Sequence, residues 1–475
     1  MASQNRTWSF YRDPALWQSN HDIILAMIYS LGLVPDPQES LSELAKRTPC
    51  CVTFDFEHRQ SHLDGQPLIL LTALCLVTDT DKEFVVLPRA DLSSTDVSDS
   101  SDDPATMYHE TIRRWGLKSV SLSMPWRLET CRIPKPWGAE IWYTGIEKRG
   151  VCTVKGIPLP WLIALAPGRI MGTHIGPEPL LLKILDPLPD AGFGDLYFEL
   201  HEQKIEVYIV THIDENAWPD GTGYIRYGFN QIKRLEYSNV ETFKAAYLDS
   251  VDQYQKVRNQ IDSLLETKKS QAGLPSTEPV APELQHQWMT TLPQPLVQEE
   301  AALMQNMYSF TALQPLQIGD VIRVKPYLPH SLQHGVRVIE FQTAHYERHI
   351  LSFTQKVMTQ NHWDTEAAVA KAIVELSAEQ QFDKTLKVLQ KREDCLVESV
   401  ADFPEFFSWR IRLDPDARFT YPLDTYALLI GVSGLAVANG QTIAAEEGYF
   451  FPAYASEIIV TTKQKGTVLL LAVAK

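Results

Sequence analysis

The chain has 475 residues, enough for two or three structural units when a single domain takes roughly 100 to 200. With 44% hydrophobic and 21% charged residues it is too apolar for a disordered chain. Its 43 Lys+Arg against 59 Asp+Glu leave a formal charge of −16, the wrong sign for a general nucleic-acid or anionic-membrane binder. The six cysteines, Cys50, Cys51, Cys75, Cys131, Cys152 and Cys395, form no C-x-x-C pair and read as free thiols of a reducing compartment. The N-terminus lacks the unbroken apolar core of a secretory signal, and no stretch approaches the ~18 apolar residues of a membrane span, so a cytoplasmic protein is expected.

In chain order, residues 1–125 read as an N-terminal α/β segment without a recognisable motif. It holds an apolar-periodic stretch at Ile23–Ile28 and a run from Pro67 to Val77 that fits a buried strand or helix. Residues 91–103, with five Asp, five Ser and no basic residue, read as a solvated loop. Residues 126–236 change to short β-like runs, Leu180–Leu185, Leu196–Leu200 and Glu206–Val210, between Pro and Gly turn signals, which is barrel or sandwich grammar. Residues 237–315 then predict a helix over about 240–269 and a Pro- and Gln-rich surface connection over 270–295. In 316–400 strands are expected at Asp320–Val324 and Val336–Phe341, followed by a helix at about 364–391. Residues 401–475 are β-rich, with Asn439-Gly440 as a two-residue hairpin turn, because Asn-Gly supplies the positive φ that a type I′ turn needs.

The most informative stretch is Gly194–Glu206. Alternate side chains of a strand share a face, so Glu199 and His201 point the same way, and if the chain turns back near Glu202-Gln203, Glu206 on the return strand converges on them. A fourth group comes from Gly319–His330, a strand and turn that end in His330. Two imidazole nitrogens and two carboxylates suit zinc, manganese or ferrous iron.

These two stretches resemble the two motifs of the cupin superfamily. Over about residues 130–475 the chain is similar to the type I mannose-6-phosphate isomerases, whose first motif reads Gln-x-His and then Lys-Pro-Glu. Glu199-Leu200-His201 and Lys204-Ile205-Glu206 take those places, and Pro329-His330 that of the second histidine. Pro179–Asp186, Trp137-Gly138, Ile339-Glu340-Phe341-Gln342, Tyr346-Glu347-Arg348 and Glu447–Ala453 match further family segments. The resemblance implies a mainly β fold of two cupin-type β-barrels (jelly roll), with a helical insertion in the first barrel and no ligands in the second.

It also implies Zn2+, alternatively Mn2+ or Fe2+, held by Glu199, His201, Glu206 and His330. The implied activity is aldose–ketose isomerisation of mannose 6-phosphate and fructose 6-phosphate, or of a related sugar, through an enediol. Lys204 would be the acid/base or hydrogen-bonding group, Lys183 a second pocket cation, and Arg348 the contact to a phosphate or enediolate oxygen. The implied partner is a small-molecule sugar or sugar phosphate. Three departures bear on the substrate: Glu199 replaces the family's Gln, Tyr197 stands where the family places a phosphate-holding Ser, and the interval from Gln342 to Arg348 is shorter. The same four ligands also suit a cupin oxygenase or epimerase, and the same fold a non-catalytic sugar-binding protein. For Arg348 a surface ion pair with Glu347 is the structural alternative.

Overall fold

The computed structural model describes residues 50–475 apart from 61–64, 79–80, 89–90, 92–102, 148–149, 174–177, 276–278, 358–362 and 378–379. The apolar stretch at 23–28 and most of the Asp/Ser run therefore lie outside the described residues. The chain divides into two compact units. One takes the described residues up to Cys131 with Tyr143–Leu180 and Lys387–Lys475; the other takes Arg132–Trp142 and Leu181–Leu386.

In the first unit, strands Cys50–Arg59, Leu68–Val77, Lys82–Pro88 and Val120–Ser121 form a four-stranded antiparallel sheet. The run at 67–77 is thus a strand, laddered on both sides. Helix Pro104–Trp115 starts where Asp103 accepts the Thr106 N–H and stops at Gly116, whose φ of 64° is left-handed. It buries Met107 and Tyr108 against Leu74 and Leu76 of the sheet. Nearer the C-terminus a seven-stranded and a four-stranded antiparallel sheet face each other over one core, with Val397, Leu429 and Leu471 from one and Phe419, Ile458 and Val460 from the other. Asn439 and Gly440, at φ 45° and 82°, join strands Ala436–Ala438 and Gln441–Ile443 in the expected hairpin.

The helix expected across 364–391 is shorter than its sequence pattern, covering Thr365–Lys371 in the other unit. Ala372 takes extended backbone, and Lys387–Lys391 is a strand paired with Cys395–Asp402, which pairs in turn with Phe406–Leu413. The C-terminal sheet accordingly begins at 387, where the sequence places its start at 401. β-pairing outweighs helical patterning there.

The second unit has two sheets. The six-stranded sheet runs Val321–Val324, Glu206–Ile213, Val336–Gln342, Leu181–Pro187, Gly138–Trp142, Cys131–Lys135. The five-stranded sheet runs Thr311–Leu316, Gly223–Phe229, His330–Leu332, Phe198–Leu200, His349–Ser352. Tyr208, Val210, Ile322 and Val338 from the first pack with Ile225, Tyr227, Leu316 and Leu332 from the second. Among the described residues the ladders do not close into a continuous barrel.

Three helices, Val240–Gln271, Pro282–Met289 and Gln294–Ser309, are inserted between the neighbouring antiparallel strands Gly223–Phe229 and Thr311–Leu316. The first opens with a capping box between Asn239 and Thr242, and its Phe243, Tyr247, Val251 and Tyr254 follow helical spacing into a buried cluster. Where a surface connection was expected, the other two helices begin, each with Pro in its first turn, a position where the missing N–H costs nothing. They hold because Trp288, Met289, Leu292 and Leu296 cover Val257, Ile261 and Leu265. None of the described helices is long and apolar enough to cross a membrane.

Candidate metal centre

The residues of the Gly194–Glu206 stretch do converge, but not as one paired hairpin. Glu199 lies in the five-stranded sheet, opposite His330 and Ile350, whereas Glu206 lies in the six-stranded sheet, opposite Val324 and Gln342. The turn at 201–205 carries the chain from one sheet to the other, so the four groups meet between the sheets. His330 opens the strand neighbouring Glu199, which explains why two segments far apart in sequence deliver their side chains to one place.

His201, His330 and Glu206 are almost completely buried. His201 Nδ1 lies 2.8 Å from the Glu347 carbonyl oxygen, and His330 Nδ1 lies 3.1 Å from that of Leu328. A carbonyl can only accept, so both Nδ1 atoms carry the hydrogen and both Nε2 atoms present lone pairs. Burial first, and then the Lys204 ammonium, push the His201 imidazole below its ordinary pKa and keep it neutral.

The His330 Nε2 faces Glu206 Oε1 at 2.8 Å, His201 Nε2 is 3.3 Å from the same oxygen, and Glu199 Oε1 is 3.8 Å from His201 Nε2. Burial would raise the Glu206 carboxyl, yet the Lys204 ammonium beside it holds it well below the usual carboxylate range. Lone pairs facing an ionised oxygen at such distances need positive charge between them. His201 Nε2 and Glu199 Oε2 are buried without a hydrogen-bond partner. The ligand atoms of Glu199, His201 and His330 lie within 4.8 Å of one another. A tetrahedral ion with bonds of ~2.1 Å separates its ligands by roughly 3.4 Å, so these three donors, with Glu206 Oε1 beside both imidazoles, are of the type and spacing that a divalent transition metal takes. Glu206 Oε1 also accepts a hydrogen bond from the Tyr208 hydroxyl at 2.9 Å, and that hydroxyl lies 3.2 Å from His330 Nε2; burial and the surrounding carboxylates keep the phenol protonated.

Beside this set runs a row of alternating charges across the six-stranded sheet. Tyr208, Glu340, Lys183 and Trp142 sit opposite one another on four successive strands. Lys204 Nζ lies 2.7 Å from Glu206 Oε2 and 4.0 Å from Glu340 Oε1; Lys183 Nζ lies 3.2 Å from Glu340 Oε2 and 3.8 Å from Glu140 Oε1; Lys135 Nζ lies 2.9 Å from Glu140 Oε2. Lys183 is therefore an inward-facing cation in its apolar strand. Burial alone would lower its pKa, but Glu340, Glu140 and Glu206 raise it, so it stays charged. For Glu340, burial prevails over the neighbouring lysines and lifts its carboxyl to about 8. Arg348 is set differently: its guanidinium lies 4.7 Å from the Tyr197 ring centre, a cation–π distance.

Glu340 and Glu140 are the site-lining residues that carried no assigned role in the sequence. Their signal was there, since a Glu at an inward position of an apolar strand such as Val336–Gln342 has to find a partner or stay neutral.

The chain matches no family model and no curated protein sequence. Solved structures do share its fold. A variant of phosphomannose isomerase from Salmonella typhimurium superposes with a TM-score of 0.52 at 12% identity, covering 74% of this chain and 100% of that one. The apo form of mannose 6-phosphate isomerase from the same organism gives 0.50 at 12% identity over 74% and 99%. A mannose 6-phosphate isomerase bound with zinc and yttrium also gives 0.50 at 12% identity over 74% and 99%. The chain thus has a mainly β fold with inserted helices, of the kind found in the type I phosphomannose isomerases.

Proposed function

We propose that this site is the metal centre of an aldose–ketose isomerase of the mannose-6-phosphate isomerase type, with Glu199, His201, Glu206 and His330 as ligands of zinc, or of manganese or ferrous iron. The carrying observation is that two imidazole nitrogens of fixed tautomer aim their lone pairs at Glu206, inside a fold similar to that of known sugar-phosphate isomerases. In this reading the paired sheets of the second unit form a cupin-type jelly roll that bears the ligands, and the paired C-terminal sheets form a second one without them.

A divalent ion held there supplies Lewis-acid polarisation of the sugar oxygens. The chain's own residues supply the proton transfers. Conversion of aldose to ketose removes a proton from C2 and returns one to C1, while a hydroxyl proton passes from O2 to O1. Glu340 in its ionised form takes the carbon-bound proton and returns it to the neighbouring carbon; a pKa of about 8 makes it a stronger base than an ordinary carboxylate. Lys204, 4.0 Å from Glu340, donates to the sugar oxygen, and Lys183 offsets the charge of Glu340 when it ionises. Arg348, held against Tyr197, offers a planar donor pair to a substrate phosphate or enediolate oxygen.

One feature favours a second reading. Glu199 gives the ion two carboxylates, and a carboxylate-richer set suits a harder cation, as an iron or manganese oxygenase or epimerase would use. Metal analysis of the purified protein, with His201→Ala and Glu206→Ala alongside, tests the ligand assignment: wild type carries stoichiometric metal and both variants lose it. Full occupancy in either variant contradicts the assignment.

A further inference from the structure

Glu347 touches none of the proposed ligands through its carboxylate, yet it holds the turn that carries them. Its Oε1 accepts the backbone N–H groups of Glu202 (2.8 Å), Gln203 and Lys204 (3.1 Å), three successive donors converging on one oxygen. Its main-chain carbonyl accepts the Nδ1–H of His201 at 2.8 Å. One residue therefore binds the entire link between the two ligand strands and also sets which nitrogen of His201 is left with a lone pair.

The neighbouring contacts converge on the same link. Ile205 N–H donates to Thr343 Oγ1 at 3.1 Å and Thr343 N–H donates to the Ile205 carbonyl, while Tyr327 N–H donates to the carbonyl of His201. Because Glu199 and Glu206 belong to different sheets, no ladder hydrogen bonds fix the 201–205 crossover, and the loop at 343–348 takes over that task.

We propose that Glu347 is the positioning residue of the metal centre: by clamping the crossover through its carboxylate and His201 through its carbonyl, it sets the affinity of the site for its ion without ligating it. This rests on the metal-centre reading above. The test is competition between the full-length protein and a chelating dye for zinc, with wild type, Glu347→Gln and Glu347→Ala compared as folded protein.

Loss of such an outer-shell partner typically costs 10- to 100-fold in metal affinity. Glu347→Ala should therefore bind zinc roughly 10- to 100-fold more weakly, with Glu347→Gln in between because its amide oxygen still accepts. If Glu347→Ala keeps zinc affinity within about twofold while only the stability of the metal-free protein drops, Glu347 is a structural residue and the proposal is overturned. Wild type that binds none of zinc, manganese and ferrous iron overturns the metal-centre reading itself, which separates the two failures. A cobalt-loaded Glu347→Gln protein should keep the wild-type d–d band intensity; a changed coordination number would make Glu347 a ligand and also overturn the proposal.

Discussion

Replacing Glu340 by Gln in the metal-free protein tests the buried charge row directly. Glu340 is fully buried, and its carboxyl is raised from an ordinary 4.5 to about 8 because desolvation outweighs the nearby lysines. Between those values the folded protein holds a proton that the unfolded chain has released, so this group's contribution is fully present below pH 4.5 and is lost as pH rises towards 8. The slope is at most ~1.4 kcal/mol per pH unit, which amounts to roughly 2–3 kcal/mol between pH 5 and 7 as an upper bound.

Gln is an isostere of the protonated acid and cannot ionise. Glu340→Gln should therefore be close to wild type at pH 5 and grow relatively more stable as pH rises. Titrating groups that do not touch Glu340 are common to both proteins and cancel in the comparison. Urea unfolding of both metal-free proteins at pH 5, 6 and 7 measures the difference. Parallel stability profiles, with no change in the difference across that range, would refute the assignment of a raised carboxyl at Glu340.

Further outcomes follow from other contacts. Gly138, at φ 144°, has no room for a side chain: a Cβ would meet the Asp186 carbonyl oxygen at 2.2 Å, so Gly138→Ala should destabilise the protein by about 2 kcal/mol or more in denaturant unfolding. Arg348→Ala should raise KM for a phosphorylated sugar at least about tenfold with kcat little changed if it holds the phosphate, as removal of a uniform binding contact does; KM and kcat both unchanged place Arg348 outside the substrate contacts. Glu199→Ala removes a donor oxygen from the set and should weaken zinc binding by at least about tenfold in chelator competition; unchanged affinity would show that Glu199 is not a ligand.

Much of the site was legible because strand alternation and turn signals are local. Glu199 and His201 could be placed on one face from strand spacing, Glu206 with them on the condition of a turn near 202–203, and His330 from the strand and turn before it. What spacing could not show is that Phe198–Leu200 and Glu206–Ile213 pair with different neighbours, so an expected hairpin is a crossover between sheets. Long-range pairing decides that, and no local pattern encodes it. The same holds at 387–391, where the sequence has helical character but a strand partner at 395–402 takes it into a sheet. Lys183 and Glu340 illustrate a third case. Each is an isolated ionisable residue in an apolar strand, and only the register that puts them opposite each other shows that they are partners. Glu347 sits beside Arg348 in sequence, and its three backbone N–H partners at 202–204 follow from how tightly the 343–348 loop folds back.

The central claim is that this metal site moves a proton between adjacent sugar carbons. Deuterium exchange into C2 of mannose 6-phosphate and mannose, and into C1 of fructose 6-phosphate and fructose, followed by NMR in heavy water, measures that step without reference to product. Metal-loaded wild type is expected to exchange the C2 hydrogen of at least one of these aldoses or a C1 hydrogen of the matching ketose, and chelator-treated protein and Glu340→Gln are expected to exchange none. Metal-loaded protein that exchanges no sugar while consuming dioxygen with some substrate would contradict the isomerase account.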